Sequence, residues 1–175
     1  LLARESDAVV VVSEAEASTV RSRLGGDDAR IWIVPPGVDG SVFRPAAVGA
    51  RRAASPYVVA AARVQPLKGL DLAIEAIADI SLEARPTLVI AGDVSSEAGD
   101  YVDELRRLAD ARGIADHVTF IGPQSRADLA FLFRGAAAVL VPSHSETYGL
   151  VALEGSASGV PVVAAAAGGL REAVV

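Results

Sequence analysis

Ala137-Ala138-Val139-Leu140-Val141-Pro142-Ser143-His144-Ser145-Glu146-Thr147-Tyr148-Gly149-Leu150-Val151-Ala152-Leu153-Glu154 is the stretch on which the fold turns. Residues 137–141 are apolar without alternation, the pattern of a strand buried on both faces of a parallel sheet. Polar and turn-forming residues follow, and from Tyr148 the chain reads as a helix that stops at Gly159. Strand, tight loop and helix N-terminus in that order mark the edge of a parallel α/β sheet where ligands bind. Unpaired amides and the helix dipole favour anions there, phosphates above all. Glu146 and Glu154, eight positions apart, lie in the same stretch. Two carboxylates would repel a phosphate, but as pure acceptors they suit sugar hydroxyls. A nucleotide sugar carries both hydroxyls and phosphates.

The same alternation extends outward from this stretch. Strands are expected over 57–62, 87–91, 117–121 and 160–164, and helices over 69–80, 97–113 and 125–134, with a last helix opening at Gly169. Strands alternating with helices through short turns imply right-handed βαβ units. The expected class is α/β, a Rossmann-like parallel sheet with helices on both faces. Nearer the N-terminus, 8–13 reads as a buried parallel strand, and Ser13 as the N-cap of a helix over 14–24 that Gly25-Gly26 ends. A second strand over 30–34 runs into Pro35-Pro36-Gly37-Val38-Asp39, a rigid turn. Residues 44–56, rich in Pro, Ala and Arg without periodicity, read as a linker.

Composition bounds the function. The 175 residues suffice for a sizeable core, and with aromatics at only 5% that core is built from Ala and Val. A net charge of −6 gives no field that would attract nucleic acid, so none is expected as a partner, and a phosphate ligand must be held by local groups. Zero cysteines exclude disulfides and thiolate metal sites and suit a cytoplasmic location. No apolar run approaches the roughly 20 residues that span a bilayer. The chain contains no methionine and opens in mid-element, so it reads as an excerpt of a longer polypeptide. There is no Gly-X4-Gly-Lys-Ser/Thr loop for a nucleoside triphosphatase, and no Gly-X-Gly-X-X-Gly for a nicotinamide or flavin site.

Glu146, seven residues, then Glu154, with Tyr148-Gly149 just after the first acid, is followed in order by Val160-Pro161-Val162-Val163-Ala164 and Gly168-Gly169-Leu170-Arg171-Glu172-Ala173-Val174. This order resembles the retaining glycosyltransferases of the GT-B fold, family 4. The resemblance implies that Glu146 contacts the transferred sugar and Glu154 the ribose hydroxyls. The amides of Gly149 and Leu150 would face the phosphates, with Tyr148 in the same lining. Arg63 and Lys68, five apart in Ala61-Ala62-Arg63-Val64-Gln65-Pro66-Leu67-Lys68-Gly69, resemble the family's diphosphate clamp. Fixed cations there would stabilise charge on the leaving group. Ile90-Ala91-Gly92-Asp93 matches a family turn but lacks its Gly-Pro ending, which leaves Gly92 as the assignable residue. Gln124 matches a position whose backbone, in the family, pairs with uracil; a turn followed by the Ser125 N-cap is the alternative reading of the same residues.

By the same resemblance, residues 1–34 end an N-terminal acceptor domain, 35–55 link the halves and 56–175 form the nucleotide-sugar-binding domain. Arg63, Lys68 and Glu146 would be the catalytic residues. The donor would be UDP-linked, and the acceptor a small molecule, a lipid or a glycan; any peripheral membrane contact would fall to the N-terminal half. No cofactor and no metal are expected, since no Asp-X-Asp pair occurs and His117 and His144 are the only histidines. In the family, attack comes from the face the diphosphate leaves, with no protein nucleophile. The stretch Gln124-Ser125-Arg126-Ala127-Asp128-Leu129 and the run from Glu146 to Gly169 are most similar to inositol-phosphate N-acetylglucosaminyltransferases of mycothiol synthesis. A nucleotide-sugar epimerase of the same fold and, for the excerpt alone, a non-catalytic nucleotide-binding module are the alternatives.

Overall fold

The computed structural model describes residues 2–47, 49, 55–94 and 99–174. The middle of the expected linker and the expected helix start at Glu97 lie outside these residues. The chain opens with α1 (Leu2–Glu5), β1 (Val9–Val11), α2 (Glu14–Leu24) and β2 (Ile31–Ile33). β1 and β2 pair in parallel as a sheet of their own. Ser13 caps α2 by accepting the Glu16 amide, and Gly25 closes it in the left-handed conformation. Ala17 and Val20 of α2 pack on Val11. The expectation of a buried strand here needs correction: Val10 is 66% exposed and its register partner Trp32 62%. α2 covers one face of this sheet, and among the described residues nothing covers the other.

The main sheet holds β3 (Tyr57–Ala61), β4 (Thr87–Ala91), β5 (Val118–Gly122), β6 (Ala138–Val141) and β7 (Val162–Ala164), all parallel, in the order β5-β4-β3-β6-β7. α3 (Leu70–Ala78), α4 (Gly99–Ala111), α5 (Arg126–Gly135), α6 (Leu150–Ala157) and α7 (Leu170–Ala173) complete the described chain. Side chains of β3 alternate between two cores, as the two-residue strand period requires. Val58 and Ala60 join Leu88, Ile90, Leu70, Ile74 and Leu105 under α3 and α4. Val59 and Ala61 join Val139, Ala130, Phe133 and Ala152 under α5 and α6. The sheet is therefore Rossmann-like with helices on both faces. Burying each large aliphatic or aromatic side chain contributes about 1.5–3 kcal/mol before the entropy of ordering it.

Within the expected linker, residues 39–43 form a turn. Asp39 accepts the amides of Val42 and Phe43, and this turn drives Phe43 into the second core, where it is 1% exposed and 6.2 Å from Phe133 between ring centroids. Val38, Val42 and Phe43, irregularly spaced among Pro, Gly and Arg, show no strand or helix period, which is why the stretch reads as linker in sequence.

Candidate functional site

β3 and β6 are neighbours, yet the chain leaves β3 towards β4 and β5 and later returns to build β6 and β7 on the other side. The strand order reverses between them, and a crevice opens at their C-terminal ends. There the loop after β3 and the loop after β6 enclose a pocket of about 360 Å³, lined by Arg63, Lys68, Glu146, Tyr148, Gly149 and Leu150. Val12 and Pro36, from the N-terminal part of the chain, close it from across the crevice.

Lys68 ends a short 3-10 turn, Pro66–Lys68, that begins with the preset φ of proline. His144 donates its backbone amide to the Leu67 carbonyl at 3.0 Å, which ties the two loops together. Across this junction Lys68 Nζ stands 2.7 Å from Glu146 Oε2, each side chain being less than one-fifth exposed. Ser143 Oγ donates to the same carboxylate oxygen at 3.3 Å. Shielding from water makes this pair stronger than an exposed ion pair. Arg63 is exposed at the pocket's other end. Gly149 is the N-cap with φ 105°, outside the range of a residue within a helix, so α6 opens at Leu150 and not at Tyr148 as expected from sequence. The amides of Ala152 and Leu153 donate to the Gly149 carbonyl, which leaves those of Leu150 and Val151, both in the pocket lining, without an acceptor in the helix.

Three expected site residues lie outside this lining. Gly92 donates its amide to the Gly122 carbonyl at 2.9 Å, and a Cβ there would meet the Ala62 carbonyl oxygen at 1.7 Å. Its place is set by the close approach of the loops after β3 and β4. Gln124 is exposed, and its side-chain amide donates to the carbonyls of Ile121 and Pro123. Glu154 is the fifth residue of α6, about 6 Å along the axis from the first at 1.5 Å per residue, nearer the helix start than a start at Tyr148 implied. Burial pushes its carboxyl above the ordinary carboxylate range, and the Arg126 charge pulls it part of the way back.

Arg126 is the residue that sequence reasoning missed. Its Nη2 lies 3.6 Å from Glu154 Oε1, and its guanidinium sits 5.3 Å over the Phe43 ring. The only signal in the sequence was a cation directly after the Ser125 cap. Among the described residues no group of three His, Cys, Asp or Glu side chains could hold a metal ion, and no helix is long and apolar enough to cross a membrane.

The sequence pattern of one family, described as glycosyl transferases group 1, matches residues 47–175, well over half of the chain. The chain belongs to the group 1 glycosyl transferases. Among its relatives in this group is D-inositol 3-phosphate glycosyltransferase from Mycobacterium bovis, 47% identical over 97% of the chain, and the Mycobacterium tuberculosis protein of the same name matches equally. The chain spans 36% of the length of these relatives. The structure of Anabaena HepE in complex with UDP and glucose superposes with a TM-score of 0.86 at 26% identity, covering 98% of the chain and 47% of HepE. Sucrose-phosphate synthase from Thermosynechococcus elongatus superposes with a TM-score of 0.85 at 29% identity, over 98% of the chain and 43% of its own. The Rossmann-like sheet of this group 1 chain is thus that of GT-B glycosyltransferases.

Proposed function

We propose that this chain is the donor-binding part of a retaining glycosyltransferase of family 4 that moves a sugar from a UDP-linked donor to an acceptor hydroxyl. The observation that carries the reading is the Lys68–Glu146 contact at 2.7 Å in a pocket that also holds Arg63 and the start of α6. Cations and helix amides suit the diphosphate, and the carboxylate suits the sugar hydroxyls. The name of the mycobacterial relatives points to D-inositol 3-phosphate as the acceptor, and the resemblance of residues 124–129 and 146–169 to inositol-phosphate N-acetylglucosaminyltransferases points to N-acetylglucosamine as the sugar transferred.

In this reading Arg63 and Lys68 neutralise the departing diphosphate, so no metal is required. Glu146 orients the sugar, and its negative charge opposes the positive charge that grows at the anomeric carbon. The leaving phosphate takes the acceptor's proton. UDP should bind the full polypeptide that carries this sequence with the same affinity in calorimetric titrations with and without EDTA, and loss of binding in EDTA would contradict metal independence. Incubation with UDP-N-acetylglucosamine and D-inositol 3-phosphate should give a glycoside that keeps the donor's anomeric configuration. Free epimer in its place would show an epimerase.

Glu154, on the same reading, receives the ribose hydroxyls. Ribose is bound alike in ground and transition states, so Glu154→Gln should raise the donor KM about tenfold with little change in kcat. An ionised carboxylate is the better acceptor. Donor affinity should therefore weaken as pH falls through the raised pKa of Glu154. Arg126→Ala removes the charge that lowers that pKa and should move this acid limb to higher pH, while Glu154→Gln should abolish the limb. A pH series of donor KM values checks both variants; an unshifted limb in Arg126→Ala would separate Arg126 from Glu154.

A further inference from the structure

Ser13 is fully buried at the β1–α2 turn, next to the pocket-lining Val12 and far in sequence from Glu146. Its hydroxyl serves two elements. Oγ accepts the Glu16 amide at 3.1 Å as the α2 cap, and it donates to the Thr147 carbonyl at 2.7 Å, across 134 positions of chain. The preceding carbonyl, that of Glu146, accepts the Gly169 amide at 2.9 Å. Two successive carbonyls of the loop are therefore pinned from two different elements, which fixes the peptides on either side of Thr147, the first of them being the one that Glu146 opens. Those two elements are themselves joined: the Glu172 carboxylate of α7 accepts the amides of Glu14 and Ala15 at 2.8 and 3.0 Å. An acid facing the first amides of a helix is also favoured by the helix dipole.

We propose that Ser13 is a positioning residue for the transfer reaction, aiming Glu146 through the Thr147 carbonyl, with Glu172 as the second arm of the same clasp. The inference rests on the reading of Glu146 as the group that faces the transferred sugar. It makes the N-terminal unit a participant in the geometry of a carboxylate that belongs to the other sheet. Neither Ser13 nor Glu172 lines the pocket, so the clasp should act on turnover and not on nucleotide affinity.

Three substitutions at position 13 separate the two duties of the hydroxyl. Ser13→Thr keeps cap and donor. Ser13→Asp keeps the cap acceptor, since Asp caps helices as well as Ser does, but it cannot donate to Thr147. Ser13→Ala loses both. Turnover is measured in the full polypeptide that carries this sequence, with UDP-N-acetylglucosamine and D-inositol 3-phosphate, and UDP affinity by calorimetry. Ser13→Thr should stay near wild type. Ser13→Asp should lose about tenfold in kcat, less than the roughly hundredfold that a misplacement near 1 Å can cost, with UDP affinity held within about twofold. Glu172→Gln, at an exposed position where folding is not at stake, should lower kcat about threefold, since the amide keeps one acceptor of two. In a Glu146→Gln background Ser13→Asp should cost nothing further, because the group it aims is no longer charged. Wild-type kcat in both Ser13→Asp and Glu172→Gln, while Glu146→Gln loses turnover, would overturn the clasp alone. Unchanged turnover in Glu146→Gln would overturn the underlying reading instead.

Discussion

Lys68→Ala should lower kcat by about a hundredfold while weakening UDP affinity only a few-fold; one lost electrostatic contact to a developing charge is worth roughly 3 kcal/mol. The asymmetry follows from the 2.7 Å contact with Glu146. Before the donor arrives, Lys68 is already neutralised by a carboxylate. Binding a diphosphate therefore exchanges one anion for another, and the net gain in the ground state is small. In the proposed function, negative charge builds on the leaving phosphate as the glycosidic bond breaks, and the Lys68 interaction strengthens. An interaction that grows towards the transition state appears in kcat. Steady-state kinetics with calorimetry on the variant check this, and unchanged turnover would contradict the assignment of Lys68.

Glu146→Gln should lower kcat by roughly a hundredfold to a thousandfold, more steeply than Glu154→Gln, because in the proposed function its charge faces the anomeric carbon as that carbon becomes cationic. UDP affinity should move the other way. The amide keeps the shape of the side chain but no longer neutralises Lys68, and it removes a negative charge from beside the phosphates. UDP should bind the variant as tightly as wild type or more tightly. Equal kinetic defects in Glu146→Gln and Glu154→Gln would remove the division of roles between sugar and ribose.

Much of the main sheet was legible from apolar runs and their punctuation. The strand expected over 87–91 is β4, and the helix expected over 69–80 is α3, trimmed to Leu70–Ala78 because Gly69 takes a left-handed turn before it. The start of α6 was misplaced because Tyr148 is a competent helix residue by propensity, while the conformation of Gly149 is decided by the loop it closes. Phe43 was taken for linker because Val38, Val42 and Phe43 are spaced with neither strand nor helix period. Site residues came from motif order, and the pocket gathers those on the loops after β3 and β6. The contacts that give the site its character join residues remote in the chain: Lys68 to Glu146 across 78 positions, Ser13 to Thr147 across 134. Periodicity carries no record of such pairs. The Arg126–Glu154 contact escaped for the same reason, since it joins the start of one helix to the middle of another.

Phe43 has a mechanical consequence. With its ring seated in the core against Phe133, the tether between the two sheets is counted from β2 to Phe43 and not from β2 to β3. About ten residues separate Ile33 from Phe43, a span of at most roughly 35 Å when drawn taut. Any swing of the small sheet is thus leashed to a point beside Arg126, whose guanidinium rests on the same ring. That leash sets an upper bound on how far the small sheet can lie from the rim of the crevice.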